Sequence, residues 1–185
     1  MNSARRRLIG LPLALGLGAF ASAARATDAL AWGPLKQTIR TRFPAVRQLT
    51  VPELTAWLRD GARPAPLLID TRSAEEYADG HLPGALHAES VAEVQRLLGP
   101  QAAARPLVLY CSVGCRSSAL ATALTRPAAR GVALSGPVYT LEGSIFEWAN
   151  AGQPVVDSDS NAAKVHPLNR KWGTLLRREL WSREP

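Results

Sequence analysis

Short apolar runs alternate with helix-start signals along this 185-residue chain. The runs occupy residues 67–70, 85–87, 107–110 and 138–141. Two of the helix starts that follow, Ser73 to Glu76 and Ser90 to Glu93, have the spacing of a capping box. Strands that alternate with helices form parallel sheets, because each helix carries the chain back to the edge where the last strand began.

The run at residues 107–110 indicates how this sheet is covered. Leu107, Val108 and Leu109 are apolar at consecutive positions, so both sides of the strand require an apolar environment. A sheet that is buried on both faces needs helices on each side. We therefore predict a doubly wound α/β fold, with a parallel sheet of about five strands and helices on both faces.

The remaining segments divide the chain into four parts. We expect a signal peptide at residues 1–26, an N-terminal extension at 27–48, the α/β domain at 49–156, and a linker with a basic amphipathic C-terminal helix at 157–185. A short helix is predicted over residues 32–43. A capping box from Thr50 to Glu53 begins a helix that ends near Arg59. The C-terminal helix would carry Trp172, Leu175, Leu176, Leu180 and Trp181.

The first 26 residues have the composition of a secretory signal peptide. Three arginines at positions 5–7 precede an apolar stretch from Leu8 to Phe20, and small residues follow at positions 21–26. The apolar stretch is shorter than the roughly 20 residues that cross a bilayer. We expect a periplasmic or secreted protein, exported by the general or the twin-arginine route, and both routes remain open.

The formal charge of +7 is concentrated at the two ends of the chain. Four arginines lie in the predicted signal peptide, and residues 162–185 carry a local charge of +4. This distribution argues against binding of nucleic acid, which needs a basic face across the domain. The C-terminal helix either contacts a membrane surface or a protein partner, or packs on the domain with its cations in solvent. No feature of the sequence indicates an oligomeric state.

One cysteine lies where the predicted fold binds ligands. Cys111 directly follows the strand that ends at Tyr110, and the next helix is predicted from Ser117 to about Arg126. Ligands of parallel sheets bind beyond the carboxyl ends of the strands, where helix N-termini present free amides. The helix dipole, the loop amides and Arg116 all favour a thiolate, so the sequence predicts a nucleophile that needs no histidine base.

Four motifs in this order resemble the rhodanese family of sulfurtransferases. They are Leu68 to Arg72 with Glu76 and Tyr77, Gly80 to Ala85, Tyr110 to Ser117, and Leu141 to Ser144. The resemblance covers about residues 49–156 and implies a single catalytic domain in which Cys111 accepts a sulfane sulfur as a persulfide. It also implies that the substrate-binding loop consists of Ser112, Val113, Gly114, Cys115 and Arg116.

The implied reaction moves sulfur from a thiosulfate-like anion through Cys111 to a thiol or to cyanide, without a metal or organic cofactor. Four residues separate Cys111 from Arg116, whereas the related phosphatases have five, so we expect a loop that is too tight for a phosphate ester. A hydrolase dyad or a zinc site with His81 or His87 is disfavoured, because the histidines form no closely spaced pair of metal ligands and the resemblance implies a structural role for both.

Two residues near the loop have alternative interpretations. Cys115 is either a resolving thiol that forms a disulfide with Cys111, or a small apolar residue that faces inward. The first interpretation supports a second hypothesis, a non-turnover persulfide or disulfide module that serves a periplasmic protein partner. Asp70, at a strand end close to Arg72, is predicted to connect loops by hydrogen bonds and not to act as a general acid or base.

Overall fold

The computed structural model of the protein describes residues 32–102, 105–126, 134 and 136–185. Five parallel strands form one sheet in the order β1-β5-β4-β2-β3. The strands are β1 (Arg47–Leu49), β2 (Leu67–Asp70), β3 (Leu86–His87), β4 (Leu107–Tyr110) and β5 (Val138–Leu141). The helices are α1 (32–42), α2 (Val51–Arg59), α3 (Ala74–Asp79), α4 (Val91–Ala102), α5 (Cys115–Thr125), α6 (Ser144–Asn150) and α7 (Arg170–Gly173).

Side chains on the two faces of the sheet belong to two separate apolar clusters. Leu68 and Val108 lie in the cluster that contains buried residues of α2 and α6. Ile69 and Leu109 lie in the cluster that contains buried residues of α4 and α5. Neighbouring residues of a strand point to opposite faces, so each face is covered by its own helices. The predicted fold class, a parallel α/β sheet with helices on both sides, is confirmed.

The capping boxes begin α2 and α3 as the sequence predicts. At α2 the Thr50 hydroxyl accepts the N–H of Glu53, and the Glu53 carboxylate accepts the N–H of Thr50 at 2.7 Å. Ser73 and Glu76 make the same reciprocal pair of hydrogen bonds at α3. Each box satisfies N–H groups that have no partner within the helix, which places the helix start by local contacts alone.

Two elements near the functional loop differ from the sequence expectation. Strand β1 was missed because Arg47 and Gln48 break any apolar run, and the strand exists only through its pairing with β5, where Leu49 lies beside Leu141. Helix α5 begins at Cys115 and not at Ser117. The structure therefore places Cys115 and Arg116 in the first helical turn, which leaves only residues 111–114 between strand and helix.

The expected C-terminal amphipathic helix is wrong. The structure has only the single turn of α7 and a 3₁₀ turn at Arg178–Leu180. The chain folds back after Gly173, because the Trp181 ring packs so closely on this residue that a Cβ there would lie 2.8 Å from the ring. Trp181 also donates its ring N–H to the Leu176 carbonyl at 3.0 Å. A continuous helix would separate these groups.

The segment expected to be a linker is also packed on the domain. Ala162 forms a bridge with Val156, which itself pairs with His81, and the Ala163 N–H donates to the Val155 carbonyl at 2.9 Å. Gly80 permits this approach, since a Cβ there would collide with the Lys164 carbonyl oxygen. The C-terminal residues thus extend the apolar cluster on the α2 and α6 side, where Val165 and Leu176 are buried.

The predicted signal peptide lies outside the described residues. In the part of the chain that the structure describes, none of the helices has the length and apolar character needed to cross a membrane. The same described residues contain no cluster of three or more side chains that could hold a metal ion.

Candidate active site

Cys111 lies at the carboxyl end of β4, beside the change of direction in strand order. Strand β3 lies on one side of β2, and β4 lies on the other side. Loops from neighbouring strands separate at such a point, which leaves a crevice above the sheet. Cys111 is 1% exposed, so the crevice holds its side chain almost completely out of solvent.

The loop after β4 is held by the start of α6. The N–H of Ile145 donates to the Cys111 carbonyl at 3.1 Å, and that of Phe146 donates to the Ser112 carbonyl at 3.2 Å. The Ser144 hydroxyl accepts the Cys111 N–H at 3.2 Å. These three bonds fix the backbone on both sides of Cys111.

Hydrogen-bond donors converge on the Cys111 sulfur. The Gly114 N–H points at Sγ with an N–S distance of 3.1 Å, and the Ser117 hydroxyl lies 3.8 Å from Sγ. Gly114 has a φ of 113°, a backbone conformation that residues with a Cβ rarely adopt. This conformation directs the Gly114 N–H back at the sulfur. Because α5 begins one residue later, its positive end also faces this sulfur. The arrangement stabilises a negative charge on sulfur.

Arg116 reaches this region through an ion pair with Glu76. Its two terminal nitrogens donate to the two carboxylate oxygens of Glu76, each at 2.7 Å, and one of them also donates to the Ser112 hydroxyl at 3.0 Å. Burial alone would raise the pKa of Glu76, but the hydrogen bonds and charge of Arg116 outweigh it and lower this pKa from 4.5 to about 2. Glu76 is therefore ionised throughout the neutral range.

The Arg116 guanidinium is correspondingly locked in its charged form. Burial opposes the charge, but the bonds to Glu76 raise the pKa of Arg116, and the charge of Cys111 adds to this effect. The Arg116 cation thus acts on the Cys111 sulfur while its position is set by Glu76. Side chain 116 is 41% exposed, so the pair forms one wall of the crevice at the solvent boundary.

Asp70 and Arg72 form a second ion pair, which is fully buried. Arg72 donates from Nε and Nη2 to the Asp70 carboxylate, with Nη2 to Oδ2 at 2.7 Å. The same Nη2 donates to the Gly80 carbonyl at 2.6 Å. The pair lies at the end of β2 and connects this strand to Gly80, the residue after α3. Its contacts therefore hold together the elements that surround the crevice.

Cys115 differs from Cys111 in its surroundings. Both cysteines are free, and Cys115 is only partly buried. Burial raises the pKa of the Cys115 thiol, and the negative charge of Cys111 raises it further. Cys115 is therefore held as a thiol at neutral pH, which disfavours it as an attacking group.

The other predicted loop residues have distinct positions. Ser112 is buried and donates its hydroxyl to Glu76 at 3.0 Å. Val113 is buried in the apolar cluster of α2 and α6, so its side chain contributes to packing. The sequence interpretation missed Glu76 and Ser117 as site residues. Glu76 was interpreted as a helix-capping residue and as part of a family motif, and its contact with Arg116, forty positions away, has no local signal.

The sequence around this site matches a known protein family. The model for the rhodanese-like domain matches residues 50–151, more than half of the chain. The chain belongs to the rhodanese-like domain family. The match begins after α1 and β1 and ends before the C-terminal segment, so those flanking elements lie outside it.

Solved structures show the same fold at low sequence identity. A thiosulfate sulfurtransferase from Pseudomonas aeruginosa superposes with a TM-score of 0.53 at 18% identity, covering 76% of this chain and 25% of that one. A protein from Bacillus halodurans superposes with a TM-score of 0.50 at 16% identity, covering 77% and 98%. These two structures support the fold.

One curated relative is an HTH-type transcriptional regulator of Mycobacterium tuberculosis, which is 35% identical over 89 residues. This alignment covers 48% of the present chain and 36% of the regulator. The chain therefore spans only about a third of this relative, and a quarter of the P. aeruginosa enzyme.

Proposed function

We propose that this rhodanese-like protein is a sulfurtransferase that moves a sulfane sulfur from a thiosulfate-like donor, through a Cys111 persulfide, to a thiol or to cyanide. The observation that carries the proposal is the set of donors around Sγ, led by the Gly114 N–H at 3.1 Å. A reaction in which a sulfur atom bears the negative charge before and after transfer requires this kind of site.

In the first half of the reaction, the Cys111 thiolate attacks the outer sulfur of thiosulfate. A new bond forms between Sγ and that sulfur, the S–S bond of thiosulfate breaks, and sulfite leaves with the electron pair. The terminal sulfur of the persulfide then carries one negative charge, so the charge is balanced. No proton transfer is needed, which agrees with a crevice that offers donors and no general base beside Sγ among its described contacts.

In the second half, an acceptor attacks the terminal sulfur. Cyanide takes the sulfur as thiocyanate and returns the Cys111 thiolate, and a thiol takes it as a persulfide of its own. The Gly114 N–H and the positive end of α5 stabilise the anionic sulfur in both halves. Arg116 contributes its charge from the wall of the crevice, and Glu76 holds the guanidinium in place.

Intact mass spectrometry tests this proposal directly. The protein is measured before thiosulfate, after thiosulfate and again after cyanide, beside a Cys111→Ala variant. We expect a gain of one sulfur atom after thiosulfate, its removal by cyanide, and neither change in the variant. A protein that gains no sulfur under these conditions would contradict the proposal.

The alternative function, a disulfide or persulfide module without turnover, depends on Cys115 as a resolving thiol. The raised pKa of this thiol disfavours the thiolate that would attack Cys111. A Cys115→Ser variant distinguishes the two functions. If the protein transfers sulfur, the Cys115→Ser variant should turn over within a few fold of the parent protein. If the alternative holds, the variant can no longer form the disulfide. Its mass then no longer falls by two hydrogens on oxidation, and no thiol-reversible oxidation is seen.

We propose further that the protein acts in the periplasm or outside the cell, on the basis of the signal-peptide features of residues 1–26. N-terminal sequencing of the protein recovered from the periplasm would test this, because cleavage near residue 26 is expected. An intact N-terminus on a cytoplasmic protein would contradict it.

A further inference from the structure

Helix α1 lies on the two loops that build the active site. Its buried face carries Trp32 and Ile39, which are seven residues apart and so lie on the same side of the helix. This helix precedes the 50–151 family match. Its contacts with the site are therefore made by residues that the family motifs do not include.

Ile39 packs against the loop residue that supports the nucleophile. A Cβ built on Gly114 would lie 3.3 Å from Cδ1 of Ile39 and 3.9 Å from the Ser144 hydroxyl. Gly114 is the residue whose N–H binds the Cys111 sulfur, and Ser144 accepts the Cys111 N–H. Ile39 is 4% exposed, so the contact excludes water from this side of the loop.

Two cations of α1 hold the helix against the loop after β5. Arg40 pairs with Glu142 at 2.5 Å, and Lys36 lies 3.7 Å from Glu142 and 2.6 Å from Glu147. The Glu142 side chain is 4% exposed. Removal of the α1 cations would therefore leave its buried negative charge without the positive charges that now pair with it. The helix is thus fastened at the residue that begins the Glu142 to Ser144 loop.

The result is a nucleophile with little access to solvent. Residues 111–114 are all buried, although a sulfur that turns over must meet a donor and an acceptor. Bond lengths and the two contacts at Gly114 place Ile39 Cδ1 within about 9 Å of Sγ. Since Cys111 is 1% exposed, a donor or acceptor reaches Sγ only when a contact beside the loop opens, and the packing of Ile39 on Gly114 is one such contact.

We propose that α1 is a selectivity cover in which Ile39 limits access to Cys111 to small sulfur anions and small nucleophiles. Bulky thiols are excluded as long as Ile39 stands against Gly114. Ile39 acts as a specificity-determining residue and does not itself take part in the transfer. The consequence for turnover rests on the proposed sulfurtransfer, whereas access to the thiol can be measured without it.

Alkylation kinetics measure that access. In a Cys115→Ser background, the modification of Cys111 is followed by mass spectrometry with small iodoacetamide and with a maleimide that bears a bulky substituent. Ile39→Val removes only the Cδ1 atom that meets Gly114, and Ile39→Ala removes more. Leu35→Ala is the matched control, because Leu35 lies on the same helix but packs against the apolar cluster of α2 and α6.

We expect the rate ratio of bulky to small reagent to rise in the order parent, Ile39→Val, Ile39→Ala, reaching about tenfold, and to stay unchanged in Leu35→Ala. An equal gain for both reagents would indicate general loosening and would overturn the proposal, as would the same ratio in Leu35→Ala or no change in either Ile39 variant. Ile39→Val keeps most of the side chain, so the test does not depend on Ile39→Ala being folded.

Turnover separates this proposal from the proposed function. If the protein transfers sulfur, the Ile39 variants should gain rate with glutathione relative to cyanide. An unchanged preference between these acceptors would overturn the selectivity cover. If thiosulfate never loads Cys111, sulfurtransfer is contradicted, and the alkylation ratios still decide whether Ile39 controls access.

Discussion

Replacement of Glu76 by glutamine tests how much the ion pair with Arg116 stabilises the site. Glu76 accepts both terminal nitrogens of Arg116, the Ser112 hydroxyl and the Ser73 N–H. Glutamine keeps the shape and can still accept the capping hydrogen bond. It removes the negative charge and turns an amide N–H₂ toward a guanidinium or hydroxyl donor, so at least one contact becomes repulsive.

The expected cost follows from the pKa of Glu76. This pKa falls from 4.5 to about 2 on folding, and each pKa unit corresponds to about 1.4 kcal/mol, which gives about 3 kcal/mol at neutral pH. Because the Arg116 side chain is 41% exposed, solvent screening weakens the pair. We therefore expect Glu76→Gln to lower the free energy of unfolding by about 1–2 kcal/mol at pH 7.

The pH dependence provides the stricter check. A carboxylate whose pKa is lowered in the folded protein stabilises it fully above the unfolded value of 4.5, and this contribution disappears as the pH falls toward 2. Urea unfolding of parent and variant from pH 7 down to pH 3 should show the gap narrowing below about pH 4.5. Glu75→Gln is the matched control, since Glu75 is exposed and, within the described part of the chain, forms an ion pair only with Arg183.

A gap below about 0.5 kcal/mol at pH 7, or one that stays constant to pH 3, would refute this reasoning. A loss of about 1–2 kcal/mol in Glu75→Gln as well, narrowing below about pH 4.5, would show that the effect belongs to α3 and not to the Arg116 pair. Since Glu76 positions Arg116, thiosulfate should load sulfur onto the Glu76→Gln variant more slowly than onto the parent protein. The Glu75→Gln variant should load sulfur at the parent rate.

Three further variants test other parts of the structure. Gly114→Ala places a Cβ on a residue with a φ of 113° and brings it close to Ile39. We therefore expect the free energy of unfolding in urea to fall by about 1–3 kcal/mol and sulfur loading to slow. Full loading at the parent stability would contradict the role of Gly114. Asp70→Asn leaves Arg72 charged and fully buried, and should cost about 3–5 kcal/mol, whereas a loss below 1 kcal/mol would mean that the buried pair is dispensable. Trp181→Ala removes the ring that packs on Gly173 and should lower the thermal midpoint, with a loss of about 2–3 kcal/mol; unchanged stability would show that the C-terminal segment does not support the domain.

Much of the fold was predictable because its signals are local. The Thr50 and Ser73 capping boxes satisfy backbone groups within four residues, so the sequence contains all the atoms that begin α2 and α3. The apolar run before Cys111 likewise identifies a buried strand by itself. The position of Cys111 at the carboxyl end of that strand then follows from the parallel architecture.

The elements that depend on distant partners were not predictable in this way. Strand β1 has a polar sequence and forms through pairing with β5, about ninety residues later. The apolar residues between positions 172 and 181 have helical spacing. The helix nevertheless ends at Gly173, where the Trp181 ring packs against the chain. Pattern alone indicates that these residues are apolar, and the available partner decides where they pack.

The candidate site likewise contains some features that local sequence predicts and others that depend on distant residues. The sequence by itself predicted a nucleophile at Cys111 and placed this residue directly after a buried strand, whereas the start of α5 at Cys115 was two residues earlier than predicted. Only the tertiary structure decided that Glu76 holds Arg116 and that Ile39 covers Gly114. These contacts join residues 40 and 75 positions apart. They form because the sheet brings its loops to one edge, a placement that no local hydrogen bond or apolar period encodes.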